Sequence, residues 1–295
     1  MSPPIESNSR LTPALVLACL LSLSSVATAA LPGAQADPAW IGVEACQNCH
    51  AEQVELWKGS HHDLAMQEVT EATVLGDFDD AVFHYAGLEH RFYRKQSEFW
   101  ISTDGVDGTL QDFRVEYVFS VYPLQQYLLA LPGGRLQALS IAWDSRSAEE
   151  GGQRWYHLHP DEAIRAGNPL HWTGPYYNWN ARCAECHSTK LEKRFDLQTA
   201  EYATTWTEVN VSCEACHGPG RLHQQLAEKG ELGTRADGGF SMNLAERGHW
   251  LFPEGEAIAR RQLALRTEAQ INSCARCHSR RGSLGDNYQY GKPLL

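Results

Sequence analysis

The chain has 295 residues, 43% hydrophobic and 21% charged, enough to bury a core and too apolar for a disordered tail. Its 25 Lys and Arg against 36 Asp and Glu give a net charge of −11, which weighs against a nucleic-acid binder, since that would need a basic patch. Nine cysteines are many for this length, and their placement decides the reading.

Residues 1–29 read as an export signal. Arg10 precedes an apolar run from Leu11 to Leu23, and Ala27, Thr28 and Ala29 supply the small residues that a signal peptidase accepts. The run falls short of the roughly 20 apolar residues that span a bilayer. Cleavage near Ala29 removes Cys19 and predicts a periplasmic protein without a transmembrane segment.

After the leader comes the first of four copies of one pattern. Cys46, Cys49 and His50; Cys183, Cys186 and His187; Cys213, Cys216 and His217; and Cys274, Cys277 and His278 each spell C-x-x-C-H. Two thiols at that spacing add to the two vinyl groups of one haem, and the adjacent His sits under the iron. Zinc ribbons would give no reason for a His after every second Cys. Disulfides leave the same histidines unexplained, and thioredoxin-like chemistry needs one C-x-x-C rather than four. The prediction is four covalently attached haem c groups, ligated by His50, His187, His217 and His278.

The residues Ala51–Ser60 suit a helix. Between 78 and 145 the pattern changes: Ala81–Tyr85, His90–Arg94, Glu98–Thr103 and Phe113–Val121 alternate apolar with polar residues and are rich in aromatic and β-branched types. Turn residues at Asp104–Gly108 and at Pro132, Gly133 and Gly134 punctuate the run, the second between Tyr127–Leu131 and Leu136–Trp143. Further on, a short strand is expected at Phe240–Leu244 and a helix at Glu256–Ser273. The expected fold class is α+β, a mostly helical or irregular haem core with an inserted antiparallel β meander. Residues 30–77 would be a first haem segment, 78–145 the insertion, and 146–295 a three-haem segment of the same domain.

Thirteen histidines leave nine for the opposite face of each iron: His61, His62, His84, His90, His157, His159, His171, His223 and His249. Only Met66 and Met242 lie beyond the leader, so imidazole rather than thioether is expected there, which keeps potentials low. His223 follows His217 by six residues, a reach of roughly 20 Å at most. That is short for a return to the far face of the same haem, so His223 is expected on a neighbouring one. A helix after His50 would likewise carry His62 away from its own haem. His61 and His249 read as surface histidines.

Three contexts carry a family resemblance. Trp57, Ser60 and His62 follow the first motif; Asn178, Trp179 and Asn180 precede the second, with Ser188 and Thr189 after it; Gly218, Pro219, Gly220 and His223 follow the third. With the haem motifs they resemble the cytochrome c-552/c-554 type of multihaem cytochrome. More closely, the chain from Cys46 to about Gly282 is similar to the haem-bearing N-terminal half of larger bacterial multihaem cytochromes that continue into tetratricopeptide repeats. The resemblance implies electron transfer with His62 and His223 as distal ligands, and it favours His171, with His84 and His157 as further candidates. It also implies a chain cut short at its C-terminus, without a partner-binding repeat domain.

Two function classes fit. One is a carrier passing electrons between redox partners through bis-His haems. The other is an oxidoreductase acting on a small nitrogen or sulfur species at a five-coordinate haem. Propionates would add to the acidic surface, which suits a basic redox partner.

Overall fold

Alternating side chains between 81 and 144 do build strands. In the computed structural model, which describes residues 33–34, 37, 39–242, 244, 249–262, 267–279, 281–282, 285–286 and 288–294, β1 (Gly33–Ala34) pairs in parallel with Thr205–Trp206. A nine-stranded antiparallel sheet follows: β2 (Met66–Glu68), β3 (Ala81–Tyr85), β4 (Leu88–Lys95), β5 (Glu98–Asp104), β6 (Leu110–Phe119), β7 (Leu124–Leu131), β8 (Arg135–Ala138), β9 (Ile141–Asp144) and β10 (Arg154–His157). Its order is β10-β9-β7-β6-β5-β4-β3, with β2 on β6 and β8 on β7. The sheet curls until its edges meet, and the ring of Tyr85 on β3 stacks on His157 of β10 at 3.6 Å. It is a nearly closed barrel.

The barrel interior is aromatic. Phe78, Phe92, Phe99, Tyr127 and Trp155 pack edge-on or stacked around one another, the closest being Phe92 on Trp155 at 3.6 Å. A second cluster joins Met66, Phe119, Leu128 and Leu136 to Trp179, Ala184 and Trp206. Leu128 and Leu129 are neighbours on β7, point to opposite faces, and are both fully buried. One faces the barrel core and the other the haem-motif segment, so β7 is the seam that fixes the two together. Truncating either to Ala removes about 2–5 kcal/mol.

Helices play the smaller part, which corrects the expectation of a mostly helical core. They are α1 (Gly42–Trp57), α2 (Trp179–Arg182), α3 (Ala184–His187), α4 (Cys213–His217), α5 (Arg221–Glu228) and α6 (Ala269–His278). Each motif needs only one helical turn to set its two thiols and imidazole. Hydrogen bonds from side chains to backbone, rather than long helix faces, hold these turns in place. Even α1 is interrupted, with non-helical angles at His50 (φ −121°, ψ 41°).

Three smaller differences follow. The expected helix at Glu256–Ser273 starts only at Ala269; Arg260–Arg261 instead pair with Trp250–Leu251, across Pro253 and Gly255. Residues 240–242 are not a strand, and Asn243 lies outside the described residues. The expected strand Leu136–Trp143 is two strands, because β8 continues the hairpin with β7 whereas β9 pairs with both β7 and β10. The predicted export signal lies outside the described residues. No helix among the described residues is long and apolar enough to cross a membrane.

Candidate haem sites

The four motifs come together in an order different from that of the chain. The Cys46 and Cys213 thiols are neighbours where α1 packs against α4, joining the first motif to the third. Ser273 Oγ donates to the Cys216 carbonyl at 3.3 Å, joining the third to the fourth. Cys186 Sγ donates to the Cys277 carbonyl and Cys277 Sγ to the Glu185 carbonyl, each at 3.9 Å, joining the fourth to the second. The spatial sequence is first, third, fourth, second. None of the eight motif cysteines is in a disulfide.

Each segment is anchored by residues that the sequence singled out. Trp57 Nε1 donates to the Val211 carbonyl at 3.0 Å, and Asn210 Nδ2 reaches both the carbonyl and Oδ1 of Asp63 at 2.9 Å. These bonds pin the turn that carries His62 to the approach of the third motif. Asn178 caps α2 by accepting the Ala181 N–H at 3.0 Å. Asn180 Oδ1 accepts the Leu136 N–H of β8 at 2.8 Å, and Trp179 packs edge-on to Trp206 at 5.6 Å. Thr189 Oγ1 accepts the Ser212 N–H at 2.9 Å, tying the second motif to the third. Gly218 has φ +77°, and a Cβ there would sit 2.5 Å from Ser241 Oγ, so the turn after His217 requires glycine.

The imidazoles form two close pairs. His50 and His223 have ring centres 6.1 Å apart at an interplanar angle of 28°, and His62 and His278 have theirs 6.2 Å apart at 83°. Two imidazoles on opposite sides of one metal, each bonded at about 2 Å, have ring centres about 6 Å apart. Nδ1 of His223 donates to the Gly238 carbonyl at 2.7 Å, and Nδ1 of His187 donates to the Ala65 carbonyl at 2.7 Å. Both bonds leave Nε2 for iron, and a carbonyl partner of this kind fixes ring orientation and raises basicity. Burial holds the His187 and His217 rings below the usual imidazole range, helped at His217 by the nearby His50 and His223. Phe240 stacks on His223 at 4.4 Å and lies 5.6 Å from His217.

A cavity of about 370 Å³ separates the second and fourth motifs, with His62, Cys186, His187, Cys274 and His278 on its wall. His61 and Tyr122 also line it. Motif thiols, oriented imidazoles and a cavity between them fit covalently held haem.

Of the other candidate ligands, His84 and His157 lie on sheet strands and His171 on the segment after β10. His171 Nε2 is 3.0 Å from Asp104 Oδ2 and its Nδ1 is 2.8 Å from Thr173 Oγ1. His157 Nε2 is 2.9 Å from Ser140 Oγ, and its Nδ1 accepts the His159 N–H at 3.0 Å. Both rings have both nitrogens engaged. His84 is exposed on β3. The structure does not bring these three to a motif.

Comparison with known proteins agrees with this chemistry. The family described as cytochrome c554 and c-prime matches residues 45–77 and 152–218, roughly a third of the chain. These findings support a multihaem c-type cytochrome. The two matched stretches include the first three motifs, His62, His171 and the Asn178–Asn180 anchor. No curated protein matches the chain. Among solved structures, the chain is similar to the outer cell wall cytochrome OcwA, with 18% identity and a TM-score of 0.39 over 65% of this chain and 34% of that one. It is also similar to the undecahaem cytochrome from the S-layer of Carboxydothermus ferrireducens, with 20% identity and a TM-score of 0.36 over 64% and 22%. The chain thus spans about a third of the first and about a fifth of the second.

Proposed function

We propose that the protein is a periplasmic tetrahaem electron carrier, its signal peptide removed on export, that passes single electrons between redox partners. The observation that carries this reading is the pair of imidazole pairs, His50 with His223 and His62 with His278, each at the spacing of two ligands on one iron. His187 and His217 are the proximal ligands of the other two haems. Bound haem supplies the one-electron couple. The chain holds the four groups in the order first, third, fourth, second and orients the imidazoles of His187 and His223 through the Ala65 and Gly238 carbonyls.

A second reading has a specific observation behind it. The cavity beside His187 is lined by His61 and Tyr122, two groups able to move a proton, so a small nitrogen or sulfur species could react there.

One experiment separates the two. The oxidised holoprotein should carry four haems, and its low-temperature electron paramagnetic resonance spectrum should be unchanged by nitrite, hydroxylamine or sulfite. His223→Ala should turn one low-spin haem high-spin. A high-spin signal in the unaltered protein that moves with one of those molecules would favour the second reading. Low-spin irons throughout in H223A would sink the His50–His223 pairing.

A further inference from the structure

We propose that Glu214 is the positioning residue for both imidazoles of the iron under His50. The inference rests on the reading that His50 and His223 face one iron. Glu214 lies inside the third motif, between Cys213 and Cys216, yet only 1% of it is exposed. It reaches two helices that have no side-chain cap of their own. The first N–H groups of a helix lack partners within it, and both α1 and α5 begin without one.

Glu214 meets both ends. Its Oε2 accepts the Gly42 N–H at 2.8 Å, and its carboxylate takes the Ile41 N–H at 3.1 Å, at the start of α1. Its Oε1 accepts the Gly220 N–H at 2.6 Å, at the start of α5. A single carboxylate therefore joins the helix that carries His50 to the helix that carries His223. Glu208 adds a lesser contact, accepting the Val43 N–H at 2.9 Å. The packing is close as well: a Cβ at Gly220 would stand 3.0 Å from Ile41 Cδ1 and 3.2 Å from Glu214 Oε1.

The charge suits the place. Negative groups are favoured at helix N-termini, and carboxylate-to-N–H bonds are among the stronger hydrogen bonds. An amide at 214 offers one acceptor oxygen to three donors and turns an NH2 toward the rest. The two helix ends then move apart more readily, and His223 leaves its iron more often.

The test is the rate at which cyanide replaces the distal ligand in the oxidised holoprotein, followed haem by haem by electron paramagnetic resonance. His223→Ala identifies the signal that belongs to the His50 iron. E214Q should keep four haems and exchange at that iron at least tenfold faster than the unaltered protein, the other low-spin haems keeping their rates. E214D keeps the charge but is one methylene too short for all three donors, and it should change in the same direction; it carries the test if E214Q fails to load four haems. Unaltered rates in these variants, with the H223A signal lost, would overturn the role of Glu214. Equal acceleration at every haem would also overturn it, marking a general loss of stability. If H223A loses no low-spin signal, the pairing itself fails and the proposal with it.

Discussion

Arg276, inside the fourth motif, is 9% exposed and lies between Tyr288 and Tyr290, its guanidinium carbon 4.3 and 4.6 Å from their ring centres. Nη2 is 3.7 Å from Glu185 of the second motif and Nη1 is 3.5 Å from the Ala215 carbonyl of the third. Burial works against its charge, but Tyr290 and Glu185 outweigh that and keep it protonated. A fixed cation among three motifs favours ferrous over ferric iron at the nearest haem. Arg276→Gln should lower a midpoint potential in spectroelectrochemistry by tens of millivolts, about 59 mV being a tenfold change for one electron. Arg276→Lys should keep most of it, and an unchanged titration in R276Q would refute the idea. The sequence displayed the thiols and proximal imidazoles because haem attachment demands a contiguous pattern. Chain reach pointed His223, and an expected helix after His50 pointed His62, toward neighbouring haems. Glu214 and Arg276 went unread, since each occupies an x position of its motif and acts on residues far along the chain.

Among the elements, the sheet was the more legible. Period-two alternation located β3 to β6 within a few residues, because one face of each strand meets an aromatic core. β10 was missed, since Arg154–His157 is too short to show a period, and the expected helix at 256–273 failed where backbone pairing at 260–261 prevailed over helical propensity. The sheet should also respond to acid. Burial takes His157 down to about 4, against 6.5 for a free imidazole. The nearby His159, His90 and His171 add to that effect. The unfolded chain binds that proton first, so stability is complete above about pH 6.5 and declines as pH falls toward 4. Urea unfolding followed by circular dichroism should show the decline, and His157→Asn should flatten it. An identical slope in H157N would place the acid sensitivity elsewhere.

On the scale of the whole molecule, the net charge of −11 governs encounters rather than folding. A basic electron donor or acceptor should meet the holoprotein fast at low ionic strength and more slowly as salt shortens the screening length from about 30 Å at 0.01 M to about 3 Å at 1 M. Stopped-flow rates with a basic test cytochrome would reveal this, and a rate indifferent to salt would argue against charge-guided docking. Such a balance can be read from composition. The order of the motifs in space could not, because it depends on bonds between segments that the chain keeps far apart.

That crossed order sets a timetable for maturation. On the proposed reading of an exported carrier the motif with His50 crosses first, but the ring facing it stands on α5, beyond the whole sheet and two further motifs. An iron delivered early to His50 would then wait, open on one side, until α5 has followed and folded. Slowing synthesis or export would lengthen the exposure of this haem most.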